Sequence, residues 1–486
     1  MCSIPIVLTC FCLGWVEPPV DEVQGAETPG MAAAFDVVAS LETVLADAIA
    51  RAEPSVVAIA RDKAEDNPEN VTLAVRGRSR KRIVDRPNSL QLDSPSEKVS
   101  SDYGSGIVIG DRGEILTAFH VVRGASTLLV RAAGRQEFEA EVIAADPRSD
   151  LAVIVPWTRP GVPPPRLKPI AIGDALKLRK GNFLIALGNP FNAARDGQVS
   201  ASWGILSNFA RKIEPERTNW GAATQLLLHH YPILLQLDSK LNLGMSGGAV
   251  INMRGELVGL TTTAHSPAGF DLQAGYAIPI DRIGKRIIDL LKQGKEVEYG
   301  LLGISASDGT NKVTHVQPNS PAGDGQLQVG DDLVGVNGIP ISNFDGLILA
   351  VNSFSPGDAI RLTINRDGKT LERTVTLAKY PVEGEIIATN RPSAWRGLRV
   401  DYISLNYRGA DSALNGKLTR GVIVSSVEEG TPAAASGLKK GQIIVKVEDQ
   451  AVDKPRQFEE AVSNKTGQVS LLTDQGPVTV QAGSKR

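Results

Sequence analysis

The chain has 486 residues, enough for about three domains of ordinary size, and is 42% hydrophobic and 22% charged. With 48 Gly and 29 Pro it has the balance of a soluble protein built from many strands and tight turns. A net charge of -2 removes the bulk electrostatic footprint of a nucleic-acid binder, and cysteines confined to Cys2, Cys10 and Cys12 exclude a thiol nucleophile, a thiolate metal site and structural disulfides from the body.

The chain begins MCSIPIVLTCFCLGWVEPP, in which Ile4 to Val16 is an apolar run of signal-peptide length, too short to span a bilayer comfortably. No Lys or Arg precedes it, and VQGAE at 23–27 is a passable cleavage site. Residues 1–30 are therefore read as a signal-like or disordered start, and the protein as exported. Ala32 to Ala52 has helical spacing of Val37, Val38, Leu41, Val44, Leu45 and Ile49, and Ser55 to Ala60 reads as a strand. Residues 62–102 are polar and weakly patterned, including the basic RGRSRKR at 76–82, and read as a long solvated loop. From Gly104 the chain becomes short apolar runs separated by turns: GIVIG, EILTAFHVV, Leu128 to Ala132, Leu151 to Val155, Phe183 to Leu187 and Gly248 to Ile251. That rhythm predicts a β-barrel or sandwich, closed by a helix at 285–294, KRIIDLLKQG.

The last third repeats itself. SPAGDGQLQVGDDLVGVNGIPI from Ser320 and TPAAASGLKKGQIIVKVEDQAV from Thr431 match without gaps at an offset of 111, through Pro321 and Pro432, Leu327 and Leu438, Gly330 and Gly441, and Val336 and Val447. Each copy reads as a helix start, a Gly turn and a strand, with Tyr380 to Pro392 as the linker between them.

Ser246 lies in LNLGMSGGAVIN, between Gly244 and the pair Gly247-Gly248. A serine hydroxyl needs a base to act as a nucleophile, and the base needs an orienting acid. Of the five histidines, His120 sits in ILTAFHVV, at the end of an apolar strand; His229 and His230 lie in the less regular LLLHHYP, His265 in a loop and His315 in the repeat region. Asp150 immediately precedes the strand Leu151 to Val155 and is better placed as the orienter than the turn residue Asp146. The order His120, Asp150, Ser246, with spacings of 30 and 96, is that of chymotrypsin-type enzymes. G-M-S-G-G formally fits the nucleophile-elbow pattern as well, so strand-rich surroundings and chain order decide. No HExxH and no phosphate-binding loop GxxxxGK[ST] occurs, and His229-His230 has no third ligand at useful spacing, so no metal and no cofactor is expected.

TAFHVV, DPRSDLAV, QLDSKLNLGMSGGAVIN and GYAIP resemble the signature segments of the HtrA (DegP/DegQ/DegS-like) serine proteases, over roughly Ala34 to Gly483. The resemblance implies a mostly β fold: a chymotrypsin-like double β-barrel over 34–290, then PDZ (α+β) domains over 297–379 and 393–483 joined by 380–392. Carried over position by position, it makes Ser246 the nucleophile, His120 the general base and then acid, and Asp150 the residue that fixes the imidazole. The oxyanion hole falls to the backbone N–H groups of Gly244 and Ser246, where glycines suit a sharply turned loop. Leu241 and Thr261-Thr262-Thr263-Ala264 correspond to the walls of the primary substrate pocket; with no acid among them, a small or medium apolar P1 residue is expected. In the first PDZ copy the terminal carboxylate of a peptide would meet Leu301-Leu302-Gly303-Ile304, and in the second WRGLRV sets Arg399 opposite Gly303. Arg399 either assists a carboxylate or spoils the loop; two copies acting only as spacers is the plainer alternative.

The function so implied is an ATP-independent endopeptidase of misfolded or damaged proteins, regulated by PDZ-bound C-terminal peptides, forming trimers or larger oligomers in the periplasm or cell envelope. One letter departs from the pattern. The family usually has Asn where this chain has Met245, which cannot hold the loop as an amide would. A catalytically weak or silent chaperone or PDZ scaffold is thus the alternative reading.

Overall fold

The computed structural model describes residues 31–63, 103–158, 161–189, 198–211, 234–239, 241–262, 275–307, 309–381, 386–406 and 420–482. The expected leader, most of the 62–102 loop, His229, His230, His265, Thr263 and Ala264 lie outside them. The chain divides into two compact units, Met1–Ala46 and Asp47–Arg486. Helix α1 (Met31–Ala52) begins in the first, where Phe35, Val37 and Val38 are exposed. It ends in the second, where Ala48 and Ala52 are fully buried. Among the described residues no helix is long and apolar enough to cross a membrane.

Six antiparallel strands form the first barrel: β1 (Val56–Lys63), β2 (Tyr103–Val108), β3 (Ile115–Ala118), β4 (Ala125–Ala132), β5 (Gln136–Asp146) and β6 (Leu151–Pro156). They run in the order β5-β4-β1-β2-β3-β6, and β5 pairs with β6 to close the ring. Sequence periodicity misses β5, because Glu137, Glu139 and Glu141 interrupt its apolar character. They alternate with Phe138, Ala140 and Val142, and only the second half of the strand is continuously buried. Between β3 and β4 the expected strand through His120 breaks into a single helical turn, α2 (Phe119–Val122), closed by Arg123 N donating to Phe119 O at 2.9 Å.

A second closed barrel runs β10-β11-β12-β9-β8-β7, from β7 (Phe183–Gly188), β8 (Ser200–Arg211), β9 (Leu234–Leu237), β10 (Ala249–Ile251), β11 (Leu257–Thr262) and β12 (Gly275–Pro279). Leu184, Leu206, Leu235, Leu237, Val250 and Val258 fill its core. Helix α3 (Arg282–Lys292) follows. It starts three residues earlier than the apolar pattern alone suggests, because Asp281 caps it by accepting from Ile283 N and Gly284 N at 2.9 and 2.8 Å. Such a cap contributes about 1 kcal/mol. Ile283, Ile287, Ile288 and Leu291 form its buried stripe.

Two small α+β domains complete the chain. The first has β13 (Gly300–Leu301), β14 (Ile304–Ala306), β15 (Val313–Val316), helix α4 (Pro321–Asp324), β16 (Asp332–Val336), β17 (Ile339–Pro340), helix α5 (Phe344–Asn352), β18 (Ala359–Arg366), β19 (Lys369–Thr376) and β20 (Ala378–Lys379). A linker strand β21 (Ile387–Ala388) precedes the second, with β22 (Leu398–Tyr402), β23 (Val422–Val427), helix α6 (Pro432–Ala435), β24 (Ile443–Val447), β25 (Gln450–Ala451), helix α7 (Pro455–Val462), β26 (Val469–Thr473) and β27 (Gly476–Val480). The repeat holds at atomic detail. Ser320 and Thr431 cap α4 and α6 by accepting from Gly323 N and Ala434 N. Gly330 N donates to Val313 O, and Gly441 N to Val424 O, both at 2.8 Å. Those two glycines take φ of +98° and +93°, which glycine adopts without steric cost.

Candidate active site

Strand register brings the candidate residues together. Ala118 at the end of β3 pairs with Leu151 at the start of β6, so the residues just outside this pair, His120 and Asp150, meet at the same end of the barrel. Phe119 N donates to Asp150 O at 2.8 Å, and Arg61 of β1 pins the turn by donating to His120 O at 3.0 Å and Arg123 O at 2.9 Å. Asp150 holds His120 twice: its carboxylate accepts from His120 N at 2.9 Å and lies 2.7 Å from His120 Nδ1. A proton on Nδ1 satisfies that contact and leaves Nε2 as the acceptor. Among the described residues no hydrogen bond joins Asp146 to His120; Asp146 accepts from the Tyr299 hydroxyl.

Asp150 is fully buried and has φ +56°, a left-handed conformation that few residues other than glycine, asparagine and aspartate adopt. A third donor, Thr262 Oγ1 at the end of β11, reaches the same carboxylate at 3.3 Å. Burial pushes the His120 imidazole down, but the charge of Asp150 and its hydrogen bond outweigh that, and the net shift is upward.

The Ser246 loop spans the two barrels. Ser105 of β2, itself fully buried, donates through N to Ser246 O at 2.8 Å and through Oγ to Gly244 O at 2.8 Å. From β11, Thr261 O accepts from Gly247 N at 2.8 Å, and the Thr261 hydroxyl donates to Met245 O. Gly247 has φ +82°, and a Cβ there would lie 2.2 Å from Ser105 O and 2.5 Å from Thr117 Oγ1. Gly244 has φ +94°, and a Cβ would lie 2.5 Å from both Asn189 O and the Tyr103 ring. Both positions admit only glycine. The N–H groups of Gly244 and Ser246 have no acceptor among the described residues, whereas those of Met245, Gly247 and Gly248 do. A pair of unspent donors beside a serine is what binding of an oxyanion requires. No hydrogen bond joins Ser246 Oγ to His120 among the described residues; catalytic contacts of this kind are commonly long before substrate binds.

Met245 is 2% exposed. Its N–H donates to Asn242 O at 3.1 Å and its carbonyl accepts from Gly248 N at 2.9 Å, so backbone bonds hold the position where an amide side chain is usual. Its Cα and Cβ pack against Gly188 of β7.

The remaining expected residues divide. Leu241 is half-buried against Gly275 of β12. Thr261 and Thr262 are buried, with hydroxyls directed to Met245 O and to Asp150. Sequence reading missed Ser105 and the bonding of Thr262 to Asp150. Nothing in LVGLTTT distinguishes one threonine from its neighbours, and Ser105 in YGSGIV looks like an ordinary strand residue.

Leu301-Leu302-Gly303-Ile304 links β13 to β14, with Gly303 at φ +82°. The alignment that set Arg399 opposite Gly303 is corrected. Gly303 O accepts from Gln317 N, and a Cβ on Gly303 would collide with the cap residue Ser320. In the second domain Gly397 O accepts from Glu428 N, and a Cβ on Gly397 would collide with Thr431. Gln317 and Glu428, like Ser320 and Thr431, stand 111 apart, so the true partner of Gly303 is Gly397. Arg399 lies two residues on, in β22, donating to Pro392 O.

Comparison with known proteins agrees with this architecture. The trypsin-like peptidase domain model matches residues 104–260, and the PDZ domain model matches 300–377 and 403–471. The periplasmic serine endoprotease DegP of Escherichia coli K12 is 30% identical over 391 residues, covering 78% of this chain and 75% of that protein. The chain belongs to the HtrA (DegP-like) family of serine endoproteases. A probable periplasmic DegP-like endoprotease of Pseudomonas putida F1 is 31% identical over 390 residues, covering 77% of this chain and 76% of its own length. The fold matches the solved HtrA-type protease AlgW with a tripeptide at a TM-score of 0.51 and 23% identity, over 69% of this chain and 97% of that one.

Proposed function

We propose that this endopeptidase uses Ser246 as nucleophile, His120 as general base and then acid, and Asp150 to orient the imidazole, and that it degrades misfolded or damaged proteins without ATP. In this mechanism Ser246 Oγ attacks the scissile carbonyl as its proton passes to His120 Nε2. The Gly244 and Ser246 N–H groups stabilise the oxyanion; one such donor is worth about 10²–10³ in rate. His120 then protonates the leaving amine, and water hydrolyses the acyl-enzyme by the same route. The observation that carries the reading is the double hold of Asp150 on His120 beside a glycine-bound serine loop with two unspent N–H donors.

Leu241 lines the primary pocket and favours a small or medium apolar P1 residue. Thr261 and Thr262 contribute backbone to its wall while their hydroxyls hold the loop and Asp150. C-terminal peptides bind the first PDZ domain at Leu301-Leu302-Gly303-Ile304 and regulate the protease. The relatives named above as periplasmic support export to that compartment, where a homo-oligomer would work without nucleotide. The silent-scaffold reading draws on Met245 and on the missing Ser246–His120 hydrogen bond. Casein digestion separates the two. Digestion by the wild type, unchanged by ATP, raised by a peptide with an apolar C-terminus and abolished in Ser246→Ala, is the expected result. No digestion with or without peptide would support the scaffold.

A further inference from the structure

The turn Asp146–Asp150 joins β5 to β6 and ends on the carboxylate that holds His120. Its other end also meets residues beyond the barrels. Asp146 is buried and accepts from Arg148 N at 3.3 Å, from Ser149 N at 3.1 Å and from the hydroxyl of Tyr299, which is itself 1% exposed. The Arg148 guanidinium carbon lies 4.4 Å from the centre of the Tyr299 ring and 3.8 Å from that of Tyr380. Tyr380 N donates to Tyr299 O at 2.7 Å, fixing the two aromatics to one another. Just upstream, Ala144 and Ala145 pair with Ala388 and Ile387 of β21.

Ser149 and Asp150 are wholly buried, and Asp150 carries the left-handed φ. Such a backbone persists only where the surroundings over-determine it. Burial pushes the Asp146 carboxyl up, and the hydrogen bonds from Ser149 and Tyr299 only partly offset this. The Tyr299 phenol is pushed well above its usual range by burial and by Asp146, which keeps its proton on the hydroxyl that donates to Asp146. Among the described residues, the Tyr299 hydroxyl is the donor to Asp146 that comes from outside the turn.

We propose that Tyr299 is a positioning residue for the His120–Asp150 pair: through Asp146 and Arg148 it holds the left-handed turn that aims Asp150 at the imidazole. The inference rests on the roles given above to His120 and Asp150. Tyr299 immediately precedes β13 (Gly300–Leu301), so the segment entering the first PDZ domain supports, through Asp146 and Arg148, the turn that carries Asp150.

The test uses the full chain with Tyr299→Phe, which keeps the ring on Arg148 and removes only the hydroxyl. The rate at which a fluorophosphonate phosphonylates Ser246, with loss of fluoride, should fall roughly ten- to a hundredfold, the scale of a small misplacement of a catalytic group. KM for a peptide substrate should stay unchanged, and the acid limb of the rate should move to lower pH as His120 loses part of Asp150's influence. Hydrogen exchange over 143–150 should quicken while β7 stays protected. Asp146→Asn, weakening the same bond from the other side, should repeat these effects, and Tyr380→Phe, which keeps the stacked ring, should show none of them. Wild-type phosphonylation rate, pH limb and exchange in Tyr299→Phe would overturn the proposal. Should the wild type fail to react with the fluorophosphonate at all, the protease reading falls, and exchange over 143–150 still decides whether Tyr299 holds the turn.

Discussion

Asp150 carries more of the site than any other side chain: it reaches His120 at two atoms, takes a third bond from Thr262, and does so from a backbone that few residues adopt. Because the imidazole pKa is raised, the neutral base predominates only above a pH higher than for an ordinary histidine. Activity should therefore rise with pH through that elevated value. Asp150→Asn should cut kcat by about 10⁴, as an amide permits the wrong tautomer, and should move the acid limb to lower pH because the raising charge is gone. A pH–rate profile of both forms checks the two effects together. At this scale the sequence was informative where chemistry restricts choice: one histidine beside a strand, one aspartate before the next, one serine among glycines. It was uninformative for Ser105 and Thr262, whose roles depend on contacts with residues 139 and 112 positions away.

At the scale of elements, the two PDZ loops diverge despite the shared repeat. In the second domain Leu398 N donates to Trp395 O at 2.8 Å and Trp395 N to Leu398 O at 2.9 Å, so this turn is closed on itself. Arg396 in the same turn donates to the carbonyls of Val480, Gln481, Lys465 and Gly467, binding it to the rest of its domain. A backbone N–H already bonded within the turn is not available to a peptide carboxylate. Gly303→Ala, whose Cβ would lie 2.3 Å from Ser320 Cβ, should weaken binding of an apolar C-terminal peptide to the full chain at least tenfold, whereas Gly397→Ala should leave it unchanged. Isothermal titration of the two variants measures this. The 111-residue offset predicted the caps, Gly turns and strands of both domains, but not the first strand. That strand is placed by the close packing of a glycine against a capping residue, a relation across the domain that linear matching does not carry.

Across the whole second unit, the segments after the barrels are bound back to them. Lys379 at the end of the first PDZ domain is buried among Glu296 at 2.6 Å and Glu298 at 2.9 Å from the junction after α3, and Asp401 of β22 at 2.8 Å. Burial pushes its ammonium down, but the three carboxylates outweigh that and raise it. Strand β21 extends the first barrel's sheet at the segment leading to Asp146. Short strands, turns and an internal repeat made the order of domains readable in the sequence. The linker YPVEGEIIATNRP gave no sign that Ile387 and Ala388 would pair with a barrel strand more than 240 residues upstream, because two residues carry no period. The central claim is that this assembly presents Ser246 as an activated nucleophile. Fluorophosphonate labelling of the full chain, with the modified residue located by mass spectrometry, tests it most directly. Covalent modification at Ser246, lost in Ser246→Ala and in His120→Ala, is the predicted result; no modification of the wild type in the presence of an activating C-terminal peptide would contradict it.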